Sequence, residues 1–147
     1  MKLLVMLEDD LDRIRRFKAI VSNHHPNAIL RISRTAPDFK SDYQTLTETP
    51  DLICLDHDLF TDSPDDPDPG DGRDVSTFLT TQSANCPALI HSTNAHAAMS
   101  MMFSMREAGW TVDRIGPVGD DWIESFWYPE AMEMIERGIS SGNPFEL

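Results

Sequence analysis

"LICLDHDLF", Leu52 to Phe60, runs four apolar residues straight into Asp56-His57-Asp58. With Asp51 in front, the segment 51–56 reads as a short strand buried on both faces. Strands of that kind belong to parallel sheets covered by helices. A plain turn needs polar residues, but it does not need two carboxylates around an imidazole. The rest of the chain is therefore read for what could stand beside this trio.

Both flanks alternate element types. "KLLVML" (2–7) reads as a strand, and 10–24 as a helix with apolar residues at Leu11, Ile14, Phe17, Ile20 and Val21. Pro26 breaks that helix, and "AILRIS" (28–33) alternates as a strand does. A weaker helix is predicted over 36–49, ended by Pro50. After Phe60 comes a Pro-, Asp- and Gly-rich loop, 61–72, which is predicted to be exposed and to border any site at the end of the third strand. Helix 73–85, strand 87–92, Met-rich helix 95–109, strand 111–116 and helix 120–138 complete the pattern. Its methionines at 99, 101, 102 and 105 read as core filling and helix surface. Five strand–helix repeats predict an α/β fold: a three-layer α/β/α sandwich around a five-stranded parallel sheet, flavodoxin-like, in order 2-1-3-4-5. Two helices are expected on one face and three on the other.

At 147 residues the chain is expected to form one domain, 1–147. Twelve basic against 25 acidic residues give a formal net charge of −13. That argues against extended binding to a nucleic-acid backbone, which needs a basic surface. A small phosphate-containing ligand, a metal ion or a nucleic-acid end remains compatible with it. "MKLLVMLEDD" is too short in its apolar run for a signal peptide. No run approaches the roughly 20 apolar residues of a membrane span. Cys54 and Cys86 sit in apolar surroundings and read as reduced core thiols, so the expected compartment is the cytoplasm.

In an open parallel sheet, ligands bind beyond the carboxyl ends of the strands. Strand one is followed by Glu8, Asp9 and Asp10, strand three by Asp56-His57-Asp58, and strand four by "HSTN", His91 to Asn94. Strands two and five end more blandly. In order 2-1-3-4-5, strands one, three and four are neighbours, so the three motifs share one crevice. Each motif alone is a turn or a cap; together, at the ligand edge, they point to a site. Glu8, Asp9, Asp56 and Asp58 are the candidate ligands of a hard divalent cation, Mg²⁺ first. His57 and His91 suit general acid and base work near neutral pH. Ser92, Thr93 and Asn94 are candidate substrate contacts, and Asn94 can cap the following helix or hold a phosphate oxygen. His24, His25 and His96 read as solvent or packing residues. There is no Gly-rich phosphate loop followed by Lys, no G-x-S-x-G elbow and no calcium loop ending in Glu.

"LLVMLEDD" and "PDLICLDHDL", with the five-fold alternation, resemble response-regulator receiver domains over nearly the whole chain. The resemblance implies that Glu8, Asp9 and Asp56 hold Mg²⁺, that Asp56 is the phosphoacceptor position and that Ser92 matches the strand-four hydroxyl. Receivers place a Lys before the Pro that follows strand five; here that position is Gly116. "LDHDL" and "HSTN" are similar instead to a divergent branch, the cyclic-phosphate-processing receiver domains. That resemblance implies an enzyme that opens or hydrolyses cyclic phosphate ends, on a nucleotide or an RNA, with Asp56, His57, His91 and Asn94 as its catalytic residues. The alternatives are a receiver-like signalling module, phosphorylated at Asp56 or inactive, and a simple metal- or phosphate-binding domain.

Overall fold

The computed structural model describes residues 1–139. Strands β1 (Leu3–Leu7), β2 (Ile29–Ser33), β3 (Leu52–Leu55), β4 (Ala88–His91) and β5 (Val112–Ile115) form one sheet, every pair parallel, in the order β2-β1-β3-β4-β5. The helices are α1 (Leu11–His24), α2 (Ala36–Gln44), α3 (Gly72–Leu79), α4 (Ala95–Glu107) and α5 (Tyr128–Arg137). The fold class and strand order are those expected from the alternation.

The period of two along each strand divides the core into two layers. Leu3, Val5, Leu7, Ile53 and Leu55 face α2, α3 and α4, meeting Phe39, Val75, Leu79, Met101 and Met105. Leu4, Met6, Leu52 and Cys54 face the other way, onto Phe17 and Val21 of α1 and Trp127, Ala131 and Met134 at α5. Three helices therefore cover one face and two the other. β1, β3 and β4 are buried along their whole length, while β2 and β5, at the edges, are partly open. Met101, Met102 and Met105 fill the core and Met99 is exposed. Cys54 and Cys86 are buried free thiols. Among the described residues no helix is long and apolar enough to cross a membrane.

Three helices differ from the sequence reading. α2 stops at Gln44, not at residue 49. Thr45, Thr47 and Thr49 are poor helix formers, and Pro50 pushes the residue before it toward extended backbone. α3 stops at Leu79, not at residue 85, where the hydroxyls of Thr80 and Thr81 donate to the carbonyls of Thr77 and Phe78, both at 2.6 Å. Such local bonds compete with the helical ladder. The last helix opens with a π-helical turn, Ile123–Trp127, in which the Tyr128 N–H reaches back to the Ile123 carbonyl. Pro129 is the cause: it has no N–H to give to Ser125, and its ring crowds that carbonyl, so the turn widens. Leu11, counted on the apolar face of the first helix, is exposed.

Candidate functional site

The ends of β1, β3 and β4 bring their polar residues to one edge of the sheet. Glu8 continues β1, its N–H bonded to the Ser33 carbonyl, and Asp56 continues β3, its N–H bonded to the Leu7 carbonyl. His91 is the last residue of β4. One donor atom each from Glu8, Asp56 and His91 lies within 4.8 Å of the other two, and all three residues are buried.

His91 has no exposed surface and lies between Phe17, 5.1 Å away between ring centroids, and the stacked ring of Trp122 at 5.9 Å. Its Nε2 meets Glu8 Oε2 at 2.7 Å. Burial pushes the Glu8 carboxyl up to about 7, against the pull of Arg13, and pushes His91 down to about 4. Between about pH 4 and pH 7 this contact is therefore a neutral hydrogen bond, the carboxyl protonated and the imidazole uncharged, since burial opposes charge on both partners. Burial, with Glu8 adding to it, also raises Asp56 to about 7. Arg13 Nη1 stands 3.8 Å from both Glu8 Oε1 and Asp56 Oδ2, over the Trp122 ring at 5.3 Å. Arg13 is the residue that the sequence reading passed over. Its signal was its position: a basic residue in the first turn of a helix opposes the helix dipole. Side chains there point back past the helix start, which here is the sheet edge.

His57 is organised separately. Its backbone N–H donates to Asp56 Oδ1 at 2.8 Å, and its Nδ1 bonds Asp58 Oδ1 at 2.7 Å. Its Nε2 is buried without a hydrogen-bond partner among the described residues and lies 3.7 Å from Asp71 Oδ2. Asp71 caps α3, and the Gly72 N–H donates to the His57 carbonyl at 2.9 Å. A Cβ on Gly72 would stand 2.3 Å from the Asp56 carbonyl oxygen and 2.8 Å from His57 Cα. Glycine is what lets α3 approach this close.

The other expected site residues take supporting positions. Asp9 and Asp58 lie outside the Glu8–Asp56–His91 group. Asp9 Oδ2 accepts the Phe60 N–H at 2.7 Å and its carbonyl accepts from Arg34 at 3.1 Å, which ties β1 to the segment after β3. Ser92 is buried, its hydroxyl accepting the Asn94 N–H, and Asn94 caps α4 by accepting from Ala97. Thr93 is exposed. The 61–72 loop is largely exposed and flanks the site through Asp71.

Two carboxylates and an imidazole so close together fit a divalent cation, the carboxylates supplying hard oxygen donors. Burial, the first cause of the raised pKa of both carboxyls, opposes their charge, and a bound cation would offset it. Lys is absent beyond β5, where Gly116 stands, but Arg114 reaches this edge and donates to the Ser92 carbonyl at 3.2 Å.

The profile of the family described as cyclic-phosphate processing receiver domain matches residues 3–107. No curated protein sequence matches. Among solved structures the chain is similar to the receiver domain of the Francisella response regulator 1452, at 14% identity and a TM-score of 0.67, covering 93% of this chain and 98% of that one. A two-component response regulator from Clostridium difficile is similar at 12% identity and a TM-score of 0.66, with the same coverage, 93% and 98%. The Mn²⁺-bound form of response regulator Rcp1 is similar at 19% identity and a TM-score of 0.61, over 86% of this chain and 94% of that one. At these identities the likeness is one of fold.

Proposed function

The chain belongs to the cyclic-phosphate processing receiver domain family, and from that membership we propose that it is an enzyme that opens a cyclic phosphodiester at the carboxyl edge of its sheet. The observation that carries the reading is His57. A carboxylate, Asp58, holds its Nδ1, while Nε2 has no hydrogen-bond partner among the described residues. An imidazole oriented in this way, with its second nitrogen uncommitted, is equipped for proton transfer. A plain phosphoacceptor has no use for it.

In the proposed reaction a water oxygen bonds to phosphorus and one ring P–O bond breaks. His57 Nε2 takes the water's proton and gives it to the leaving oxygen. Arg13, beside Asp56, meets the phosphoryl oxygens with fixed positive charge. His91 acts through Glu8, whose carboxyl it holds, rather than on the substrate. A divalent cation, Mg²⁺ or Mn²⁺, held by Glu8, Asp56 and His91 would supply Lewis-acid stabilisation of the phosphoryl group. The Mn²⁺ named for Rcp1, a protein of the same fold, supports that choice. The substrate is a small cyclic phosphate or a nucleic-acid end bearing one, consistent with the net charge of −13.

The test is a screen of cyclic phosphodiesters with Mg²⁺, Mn²⁺ or chelator, run on the wild type, His57→Ala and Asp56→Asn. Opening that depends on His57 supports the reading, and no opening of any cyclic phosphate sinks it. The position of Asp56 at the end of β3 in a receiver fold favours a second reading, a phosphoacceptor. Labelling by a small acyl phosphate that is lost in Asp56→Asn and kept in His57→Ala, with no phosphodiester opened, would establish that one instead.

A further inference from the structure

Beside the reacting edge lies a cavity of about 330 Å³, between the β2–α2 turn and the acidic loop. It is at the small end of the ~300–1,000 Å³ typical of ligand pockets. Arg34 and Phe60 form two of its walls, and Asp38, Asp62, Asp66 and Asp68 line it as well. We propose that this cavity receives the nucleobase of a nucleoside cyclic phosphate whose phosphate lies at Arg13 and Asp56, an inference that rests on the reading given above.

Three observations carry it. The first is continuity. Asp9 adjoins Glu8 in sequence, its side chain accepts the Phe60 N–H and its carbonyl accepts from Arg34. One residue thus joins the cavity walls to the reacting cluster. The second is Phe60 itself, which is 74% exposed although it directly follows the buried Leu59. An aromatic ring left open beside a site offers a stacking platform, and every nucleobase has a π-face to place on it. The third is charge. Arg34 is paired with Asp62 at 3.2 Å, Asp66 and Asp68 each spend one oxygen on a backbone N–H of their own loop, from Ser63 and Gly70, and Asp38 adds a further carboxylate, so the lining keeps a surplus of acceptors. Carboxylates only accept hydrogen bonds. Such a rim repels a phosphate and suits a neutral ring rich in N–H donors, such as guanine, whose ring N–H and amino group can meet the two oxygens of one carboxylate. The phosphate end and the base end of one nucleotide therefore find opposite electrostatics, at Arg13 and at this acidic lining.

The experiment compares guanosine 2′,3′-cyclic phosphate with glycerol 1,2-cyclic phosphate, which has the reacting ring and no base. Wild type should show a KM about tenfold or more lower for the nucleotide, in line with one stacked base. Phe60→Ala should bring the two KM values together, and Phe60→Trp should restore the preference. Circular dichroism should confirm that both variants fold, as expected for so exposed a position. Equal KM values in wild type overturn the base pocket and leave the cyclic-phosphate reading standing. If neither compound is opened, the cyclic-phosphate reading is left to the wider screen and the pocket is decided by calorimetry with guanosine alone. Saturable binding lost in Phe60→Ala upholds the pocket, and no binding overturns it.

Discussion

Replacing Asp56 by Asn removes a charge and keeps the shape, so it isolates what burial does to this carboxyl. Asp56 is 5% exposed. Its pKa is pushed up from 3.8 to about 7, first by burial and then by Glu8, against the pull of His91, the His57 N–H and Arg13. A carboxyl whose folded pKa lies above its unfolded value costs stability as pH rises between the two. Below 3.8 there is no effect, and above about 7 the loss is complete. One pKa unit is about 1.4 kcal/mol. Between pH 5 and pH 8 wild type should therefore lose about 3 kcal/mol that Asp56→Asn does not lose, because Asn cannot titrate and can still accept the His57 N–H. Glu8, raised to about 7, acts in the same direction, and His91, lowered to about 4, acts oppositely as pH falls below 6.5. Both are present in both proteins but each also feels Asp56, so the difference reads Asp56 together with its coupling to these two neighbours. Urea unfolding at the two pH values, with chelator, reads it out. At ~1–3 kcal/mol per molar urea, the wild-type midpoint should fall roughly 1–3 M further than that of the variant. Adding Mg²⁺ or Mn²⁺ at pH 8 should recover stability in wild type and much less in the variant. Parallel midpoint shifts in the two proteins would refute the claim that a buried, raised carboxyl sits here.

His57→Ala should lower kcat for cyclic-phosphate opening by roughly 10²–10⁴ with little loss of stability, since its role is proton transfer at Nε2; an unchanged kcat argues against that role. His91→Ala should behave differently, losing about 2–4 kcal/mol in chemical unfolding, because it empties a fully buried site between Phe17 and Trp122 and strips Glu8 of its partner. A stability equal to wild type would mean that the aromatic cage closes over the gap. Gly72→Ala should cost several kcal/mol, on the order of a severe overpacking, because the added methyl meets backbone 2.3 Å away at Asp56; a wild-type melting temperature would show that α3 shifts freely. Arg13→Gln should raise Mn²⁺ affinity in calorimetry while lowering turnover, since the guanidinium and a cation compete for Glu8 and Asp56. A weaker Mn²⁺ site would show that Arg13 supports the ligands instead.

The fold was legible because its signals are local and mutually consistent. Continuous apolar runs can be buried only between two helical layers, and β1, β3 and β4 are such runs. The edges of elements were less legible because they depend on single competing bonds. The hydroxyls of Thr80 and Thr81 end α3 early, and nothing in the apolar spacing of 73–85 reports that. Pro129 was visible in the sequence, but that its effect is a widened turn, with Ile123 and Trp127 both kept in the core, was not.

The site was legible as a set of strand ends and less so as a set of contacts. Strand order brings Glu8, Asp56 and His91 together, and order can be read from alternation. Which carboxylate turns inward cannot be read that way, because it is settled by the backbone and side-chain N–H groups in reach. Asp9 is taken by Phe60, and Asp58 by the His57 ring. The two histidines looked equivalent in sequence, each beside a strand end. Each keeps one ring nitrogen without a hydrogen-bond partner among the described residues, but packing separates them: His91 is fully enclosed under Phe17 and Trp122 and serves Glu8, whereas the His57 ring lies between Asp58 and Asp71 at the rim. Arg13 supplies the logic that joins the parts. Two buried acids at one edge are unstable without a cation, and a guanidinium equidistant from both lets the fold persist before any metal or phosphate arrives. A cation too tightly held would close the site, whereas at 3.8 Å, over an aromatic ring and a quarter exposed, Arg13 remains able to turn toward an incoming phosphate.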